Sequence, residues 1–142
     1  MSMQAGCELC ALAVPVAWAG PKFSVIIVDD ANYPGFCRVV WRDHVREMSD
    51  LASEDRVLLN EAVYQVELAV REVMRPLKVN VASLGNVVPH LHWHVIPRYA
   101  DDAHFPAPVW AAAARQLDES MLAARRALLP ELAGAIARRF NQ

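Results

Sequence analysis

The sequence predicts an α+β domain built on an antiparallel sheet of about five strands, with one long helix and a helical C-terminal tail. Short apolar runs rich in Val and Ile recur along the chain, at 23–28, 36–41, 78–83 and 90–97. Such runs are typical of buried strands. A long helical pattern separates the second run from the third, and an Ala-, Leu- and Arg-rich segment follows the last. This order of elements indicates the α+β class.

The first two strands are expected to form an antiparallel pair. The run 23–28 is closed by Asp29 and Asp30, and the run 36–41 follows directly after the turn sequence Asn32-Tyr33-Pro34-Gly35. Cys37 lies within the second run and is expected to be a small core residue.

The long helix is expected from about Ser53 to Arg75. Ser53 is a favourable N-cap, and Glu54 and Asp55 place negative charge in the first turn, where the helix dipole favours it. Apolar residues then recur with helical spacing until Pro76 ends the pattern. The apolar face of this helix should pack on the sheet.

The length and composition suit one globular domain. The chain has 142 residues, of which 55% are apolar and 21% are charged. We expect an N-terminal segment at 1–22, a core at 23–99, and a loop with a helical tail at 100–142. The tail should be helical from about Gln116 and should restart at Pro130.

Charge and hydropathy exclude several classes of partner. The net charge is −2 with His neutral, and no long basic block is present, so a nucleic acid polymer is not an expected partner. No apolar run approaches the ~20 residues of a membrane span. The first residues lack the basic and apolar regions of a signal peptide. We therefore expect a cytoplasmic protein that does not bind membranes.

Three of the five histidines alternate along the last predicted strand, as His90, His92 and His94. Side chains on a strand alternate between its faces, so the three imidazoles should project from one face and the apolar residues between them from the other. Each buried imidazole needs partners for two ring nitrogens. The pattern therefore indicates a chemical site rather than packing.

The motif around these histidines resembles that of the histidine triad (HIT) family, His-x-His-x-His-x-x with apolar x. The resemblance continues upstream. The segment 34–44 is similar to the family's Pro-Gly-His strand with its basic turn and histidine, and 80–89 is similar to its Asn and glycine-loop segment. Together these segments cover about residues 23–99 and imply a HIT-like fold.

The resemblance implies nucleotidyl chemistry at the α-phosphate of a nucleoside phosphate, of the dinucleoside polyphosphate or phosphoramidate type. The middle histidine, His92, would be the nucleophile of a nucleotide hydrolase or nucleotidyltransferase and would form a nucleotidyl-histidine intermediate. His94 would lie near the phosphate and the bridging oxygen, and its backbone carbonyl would orient the nucleophile.

The same resemblance assigns the nucleotide-binding residues. Asn80, Asn86 and the backbone of the Gly85 loop would donate hydrogen bonds to phosphoryl oxygens, and Asp29 would contact a ribose hydroxyl. Three positions depart from the family pattern. Asn86 stands where relatives carry Gln, and Val87 stands where they carry Ser or Thr, so a phosphate-contacting hydroxyl is missing. Phe36 replaces the histidine of Pro-Gly-His.

Some branches of the family carry a structural zinc, and the matching positions here are Cys7, Cys10, His44 and His90. Two thiolates and two imidazoles are a suitable tetrahedral set for zinc. The resemblance also implies a homodimer, in which the long helix could pack across the interface.

Other interpretations of these residues stay open on the sequence alone. The triad could be structural, or it could bind a catalytic zinc in a zinc-dependent hydrolase. Cys7 and Cys10 could be uncommitted thiols on a flexible terminus, and His44 could be an exposed turn residue. A non-catalytic nucleotide-binding or interaction protein would be consistent with Val87, whereas the intact His92 favours an enzyme.

Overall fold

The computed structural model describes residues 3–141 and contains a five-stranded antiparallel sheet in the order β1-β2-β3-β5-β4. The strands and helices, in chain order, are β1 (Trp18–Ala19), β2 (Phe23–Ile27), β3 (Cys37–Trp41), α1 (Ser53–Met74), β4 (Lys78–Ala82), β5 (His92–Arg98), α2 (Glu119–Arg126) and α3 (Leu129–Phe140). A short 3₁₀ turn at Met48–Asp50 precedes α1. The predicted α+β class is confirmed.

One face of the sheet packs against α1 and α3 and forms the main core. Strand residues on this face include Val25, Cys37, Val39 and Val95, all fully buried. Cys37 is therefore the core residue that the sequence predicted. Because strand residues alternate, the other face carries Arg38, Val40 and the histidines.

The long helix α1 ends where the sequence predicts, but its cap differs. Ser53 is the first helical residue, and Ala52 occupies the N-cap position without a side-chain hydrogen bond, so the predicted capping role of Ser53 is wrong. At the other end Arg75 adopts the left-handed conformation, with φ of 50°, directly before Pro76. Proline disfavours a helical conformation in the residue before it, which ends the helix.

The second face of the sheet is covered by two irregular segments. Leu9 of the N-terminal segment is buried against Ile26 and Val40. At the opposite end of this face, Tyr33 and Ile96 pack together with the loop that follows β5. The histidines lie between these two coverings, so both coverings help to shape the site.

The structure differs from the predicted elements in three places. The strand β1 lies within 1–22, where none was specified, and pairs with β2 through Trp18 and Val25. The last strand begins at His92 rather than His90, because Leu91 N donates to the carbonyl of Val45 outside the ladder. The helical tail begins at Glu119 and restarts at Leu129, one residue before Pro130. Across residues 3–141, none of the helices combines the length and the apolar composition that crossing a membrane requires.

Candidate active site and metal centre

His92 and His94 lie side by side on β5, with ring centroids 4.8 Å apart. The Nδ1 atom of His92 is 2.6 Å from the carbonyl oxygen of His90. Because a carbonyl only accepts hydrogen bonds, Nδ1 carries the proton and Nε2 keeps its lone pair. This is the tautomer that a nucleophile at Nε2 needs.

The carbonyl that orients His92 is therefore not the one that the sequence predicted. The expected group was the carbonyl of His94. That residue lies within the sheet, opposite Arg38 on one side and Ala82 on the other. His90 precedes β5, so its carbonyl is outside the ladder and accepts from the ring two residues later.

Both imidazoles are held in the neutral state. Burial lowers the pKa of His92, and the nearby Arg38 cation lowers it further, against opposing effects of the His90 carbonyl and Glu8. Burial lowers the pKa of His94 to about 4, with smaller contributions from His92 and Arg38. Phe36 packs edge-on against the ring of His94, with centroids 5.4 Å apart, and so contributes an apolar wall.

Arg38 belongs to this site, although the sequence analysis missed it. It is the ladder partner of His94 and therefore shares the face of the sheet that carries the histidines. Its Nε atom is buried and has no hydrogen-bond partner within the described part of the chain. A single charge inside the otherwise apolar run 36–41 was the signal that could have identified it.

Two cavities lie near this site, one lined by His92 and the other by Arg38. One, of about 430 Å³, is lined by His92, Gly85 and Ser83 together with the segment 46–49. The other, of about 380 Å³, lies on the side of β2 and β3, and its lining includes Leu9, Ile26, Val28, Asp29 and Arg38. The predicted residues Gly85 and Asp29 are thus placed in different cavities.

The amide of Asn80 is oriented by a buried ion pair that the sequence analysis also missed. Arg98 Nη1 donates to Asn80 Oδ1 at 2.6 Å, so the NH₂ group of Asn80 remains available as a donor. Arg98 and Asp102 are buried and form a bidentate pair at 2.8 and 3.2 Å. Burial opposes ionisation, but Arg98 and three backbone N–H groups hold the pKa of Asp102 below its usual range.

The remaining predicted phosphate ligands lie on the loop before β5. Gly85 has φ of +75°, a conformation that favours glycine. Asn86 is exposed, and Val87 has 93% of its surface accessible to solvent. The position of the missing hydroxyl is therefore a surface position on this loop.

The side chains of Cys7, Cys10, His44 and His90 form a second cluster, in which the four ligand atoms lie within 4.8 Å of one another. The Nδ1 atom of His90 is 3.5 Å from Cys7 Sγ, 3.4 Å from Cys10 Sγ and 3.2 Å from His44 Nδ1. Tetrahedral zinc with Zn–S bonds of about 2.3 Å and Zn–N bonds of about 2.0–2.1 Å separates S from N by about 3.6 Å and two N atoms by about 3.3 Å. The cluster therefore fits a tetrahedral metal.

The protonation of His90 agrees with this role. Its Nε2 atom is 2.6 Å from the carbonyl oxygen of Trp41 and must donate to it, which leaves Nδ1 free of a proton and directed at the two sulfurs and His44. A backbone carbonyl that fixes the second nitrogen is the usual support for a metal-binding histidine. The ring of His90 therefore belongs to the cluster with Cys7, Cys10 and His44, which we call the metal cluster. The backbone carbonyl of His90 orients the ring of His92.

The HIT domain family model matches residues 17–101 of this sequence. A histidine triad protein from Bradyrhizobium japonicum has 31% identity and a TM-score of 0.69, over 88% of each chain. A zinc-bound histidine triad family protein from Mycobacterium smegmatis has 20% identity and a TM-score of 0.59, over 92% of this chain and 97% of that one, which shows a shared fold. The chain belongs to the HIT family.

A curated relative extends the comparison to a named enzyme. An AP-4-A phosphorylase from Mycobacterium tuberculosis is 31% identical over 78 residues, which are 51% of this chain and 40% of that protein. The match therefore spans about two fifths of the relative's length.

Proposed function

We propose that this protein is a nucleotide hydrolase or nucleotidyltransferase that acts at the α-phosphate of a nucleoside phosphate. The observation that carries the proposal is the hydrogen bond from His92 Nδ1 to the His90 carbonyl, which leaves Nε2 as a neutral nucleophile. Membership of the HIT family and the partial match to an AP-4-A phosphorylase support the same class of reaction.

The proposed reaction proceeds in two displacements. The lone pair of His92 Nε2 forms a bond to the α-phosphorus, while the bond from phosphorus to the leaving group breaks and the electron pair departs with that group. Water or another acceptor then attacks the nucleotidyl-histidine, loses a proton and releases His92 in its starting state. Asn80, through its oriented NH₂ group, and the Gly85 loop donate hydrogen bonds to the phosphoryl oxygens.

The neutral state of His94 favours one type of leaving group. With a pKa of about 4, His94 donates a hydrogen bond near neutral pH but does not supply a proton. A phosphate leaves as a stable anion, whereas an amine needs a proton. We therefore favour dinucleoside polyphosphates over phosphoramidates as substrates.

Turnover of a panel of dinucleoside polyphosphates and nucleoside phosphoramidates tests this proposal. We expect the wild-type protein to cleave the polyphosphates faster, with a mononucleotide among the products. Binding of nucleotides without turnover of any compound would instead support the second candidate, a non-catalytic nucleotide-binding protein, which the lack of a hydroxyl at Val87 favours.

The metal cluster is proposed to bind one structural zinc. The four ligands Cys7, Cys10, His44 and His90 would close the coordination sphere and leave no position for substrate or water, which disfavours a zinc-dependent hydrolase. The zinc-bound relative of the same fold supports the choice of metal. Metal analysis of protein prepared without chelators should give one zinc per chain, and Cys7→Ser should reduce that content.

A homodimer is proposed from the family resemblance. The helix α1 exposes Val57, Leu58 and Tyr64, with 68%, 38% and 51% of their surfaces accessible, which is consistent with a second copy packing there. Light scattering at micromolar concentrations should give twice the mass of the chain. A monomer across that range would contradict the dimer.

A further inference from the structure

Arg38 occupies a central place on the face of the sheet that carries the histidines. It pairs with His94 on β5 and with Ile26 on β2. Together with Glu8 and Asp29 it lines the cavity of about 380 Å³. A half-buried guanidinium group thus lies between the proposed catalytic histidines and an otherwise largely apolar cavity.

The cation of Arg38 has no protein partner that would explain its position. Its buried Nε has no hydrogen-bond partner, and Arg38 forms no ion pair among residues 3–141. Arg98, on the same face, shows the usual arrangement for a buried arginine, since it pairs with Asp102 and also donates to Asn80. Burial of a charged group without a partner is costly.

A second polar atom without a hydrogen-bond partner belongs to His94, the residue that pairs with Arg38 in the sheet. The Nδ1 atom of His94 is buried and also lacks a hydrogen-bond partner among the described residues. Two adjacent polar groups that are unsatisfied in the free protein indicate a ligand that supplies their partner. Because one of the two is a permanent cation, that ligand is expected to carry negative charge at this point.

We infer that Arg38 binds the anionic phosphoryl group of the nucleotide substrate. Arginine suits this task because its planar N–H donors match phosphoryl oxygens. The inference rests on the proposed function and deepens it.

Calorimetric titration with AMP, GMP, adenosine and guanosine tests this inference, because the nucleosides lack only the phosphoryl group. In the wild-type protein at least one nucleotide should bind more tightly than its nucleoside. Arg38→Gln should weaken binding of that nucleotide about 10- to 100-fold and leave nucleoside binding within about twofold. Arg38→Lys should recover part of the loss, since it restores the charge without the planar group.

Arg42→Gln provides the matched control. Arg42 is exposed, follows the same strand, and donates to the carbonyl of Gly20 away from the histidines. We expect it to leave the preference for nucleotide over nucleoside unchanged. Equal weakening by Arg38→Gln and Arg42→Gln would reflect general surface charge and would overturn the role of Arg38.

The outcomes separate this inference from the proposed function. A wild-type protein that binds neither nucleotide nor nucleoside would contradict the proposed function itself. A wild-type preference for nucleotide that persists in Arg38→Gln would overturn only the inference. A melting temperature for Arg38→Gln equal to or above that of the wild type is expected, because an unpartnered cation is removed. A large decrease would show that Arg38 has a structural partner and would also overturn the inference.

Discussion

At the scale of single residues, one carbonyl and the burial of two rings determine the proposed chemistry. The carbonyl of His90 fixes the tautomer of His92, and burial, with a smaller contribution from Arg38, lowers the pKa of His92 and His94 so that both imidazoles are neutral. In the proposed reaction, neutral His92 is the nucleophile and neutral His94 is a hydrogen-bond donor.

His94→Ala should slow turnover of a dinucleoside polyphosphate by about 10²-fold, which is the typical loss on removal of one donor to a developing negative charge. In the proposed mechanism, His94 assists departure of the leaving group but does not form the new bond. Steady-state kinetics on the wild type and variant would measure this. A loss as complete as that of a His92 variant would contradict the assisting role.

The low pKa of His94 also predicts a pH dependence of stability. The unfolded chain protonates His94 near pH 6.5, whereas the folded protein resists protonation until about pH 4. Within this window the unfolded state binds more protons, so the free energy of unfolding falls as the pH is lowered from about 6.5 to about 4. The shift corresponds to at most about 3 kcal/mol.

Urea unfolding of the wild type and His94→Gln at several pH values isolates this contribution. The two proteins differ only at residue 94, so the difference between their pH profiles reports on His94. The wild type should lose more stability than the variant between pH 6.5 and pH 4. Parallel pH profiles would contradict the assigned pKa.

At the scale of elements, one carboxylate makes most of the hydrogen bonds that attach the loop after β5 to the sheet, and Arg98 also donates to the carbonyl of Ala107 in that loop. Asp102 accepts hydrogen bonds from Arg98, from the Tyr33 hydroxyl and from three backbone N–H groups of its own loop. Arg98 in turn holds Asn80 on β4. The orientation of a proposed phosphate ligand therefore depends on a residue in the following loop.

Asp102→Asn should reduce the free energy of unfolding by about 3–5 kcal/mol, because it leaves the buried Arg98 cation without its partner. Asp101→Asn is the matched control. Asp101 pairs with Arg125 at 2.9 Å but its side chain is 61% exposed, so its loss should cost less than about 1 kcal/mol. Similar costs for the two variants in urea unfolding would contradict the proposed attachment.

The N-terminal segment is a second element whose position depends on a small number of side chains. Cys7 and Cys10 belong to the metal cluster, and Leu9 between them is buried against Ile26 and Val40. Leu9 also lines the cavity that contains Arg38. Metal binding is therefore expected to hold one wall of the proposed substrate cavity in place.

Removal of the metal with a chelator should increase hydrogen exchange at residues 7–12 while strands β2, β3 and β5 remain protected. The value of KM for the nucleotide substrate should rise, because the cavity loses a wall. Addition of zinc should reverse both changes. Unchanged exchange at 7–12 in protein shown to be free of metal would contradict the structural role.

For the whole molecule, the local pattern of apolar and polar residues predicted which helices and strands form. It predicted less well which of these elements lie side by side. The period of apolar residues identified α1, and the alternation of His92 and His94 identified a strand with a chemical face. The two-residue strand β1 carries too little pattern to be recognised, because Trp18 and Ala19 become a strand only through pairing with β2.

The same reason explains why the sequence did not predict the positions of Arg38 and Arg98 in the site. Arg38 becomes part of the site because β3 lies beside β5, and Arg98 orients Asn80 because β5 lies beside β4. These contacts join residues 18 or more positions apart, and no local period encodes them. The resemblance to the HIT family, by contrast, identified all four members of the metal cluster, from Cys7 to His90.

Isolation of a covalent intermediate tests the proposed role of His92 as the nucleophile. A reaction with a dinucleoside polyphosphate, quenched within one turnover and digested, should yield an acid-labile nucleotide adduct on the peptide that contains His92. His92→Asn should yield no adduct and no turnover, while it remains folded and still binds nucleotide. An adduct on another residue, or wild-type turnover in His92→Asn, would contradict the assignment of His92 as the nucleophile.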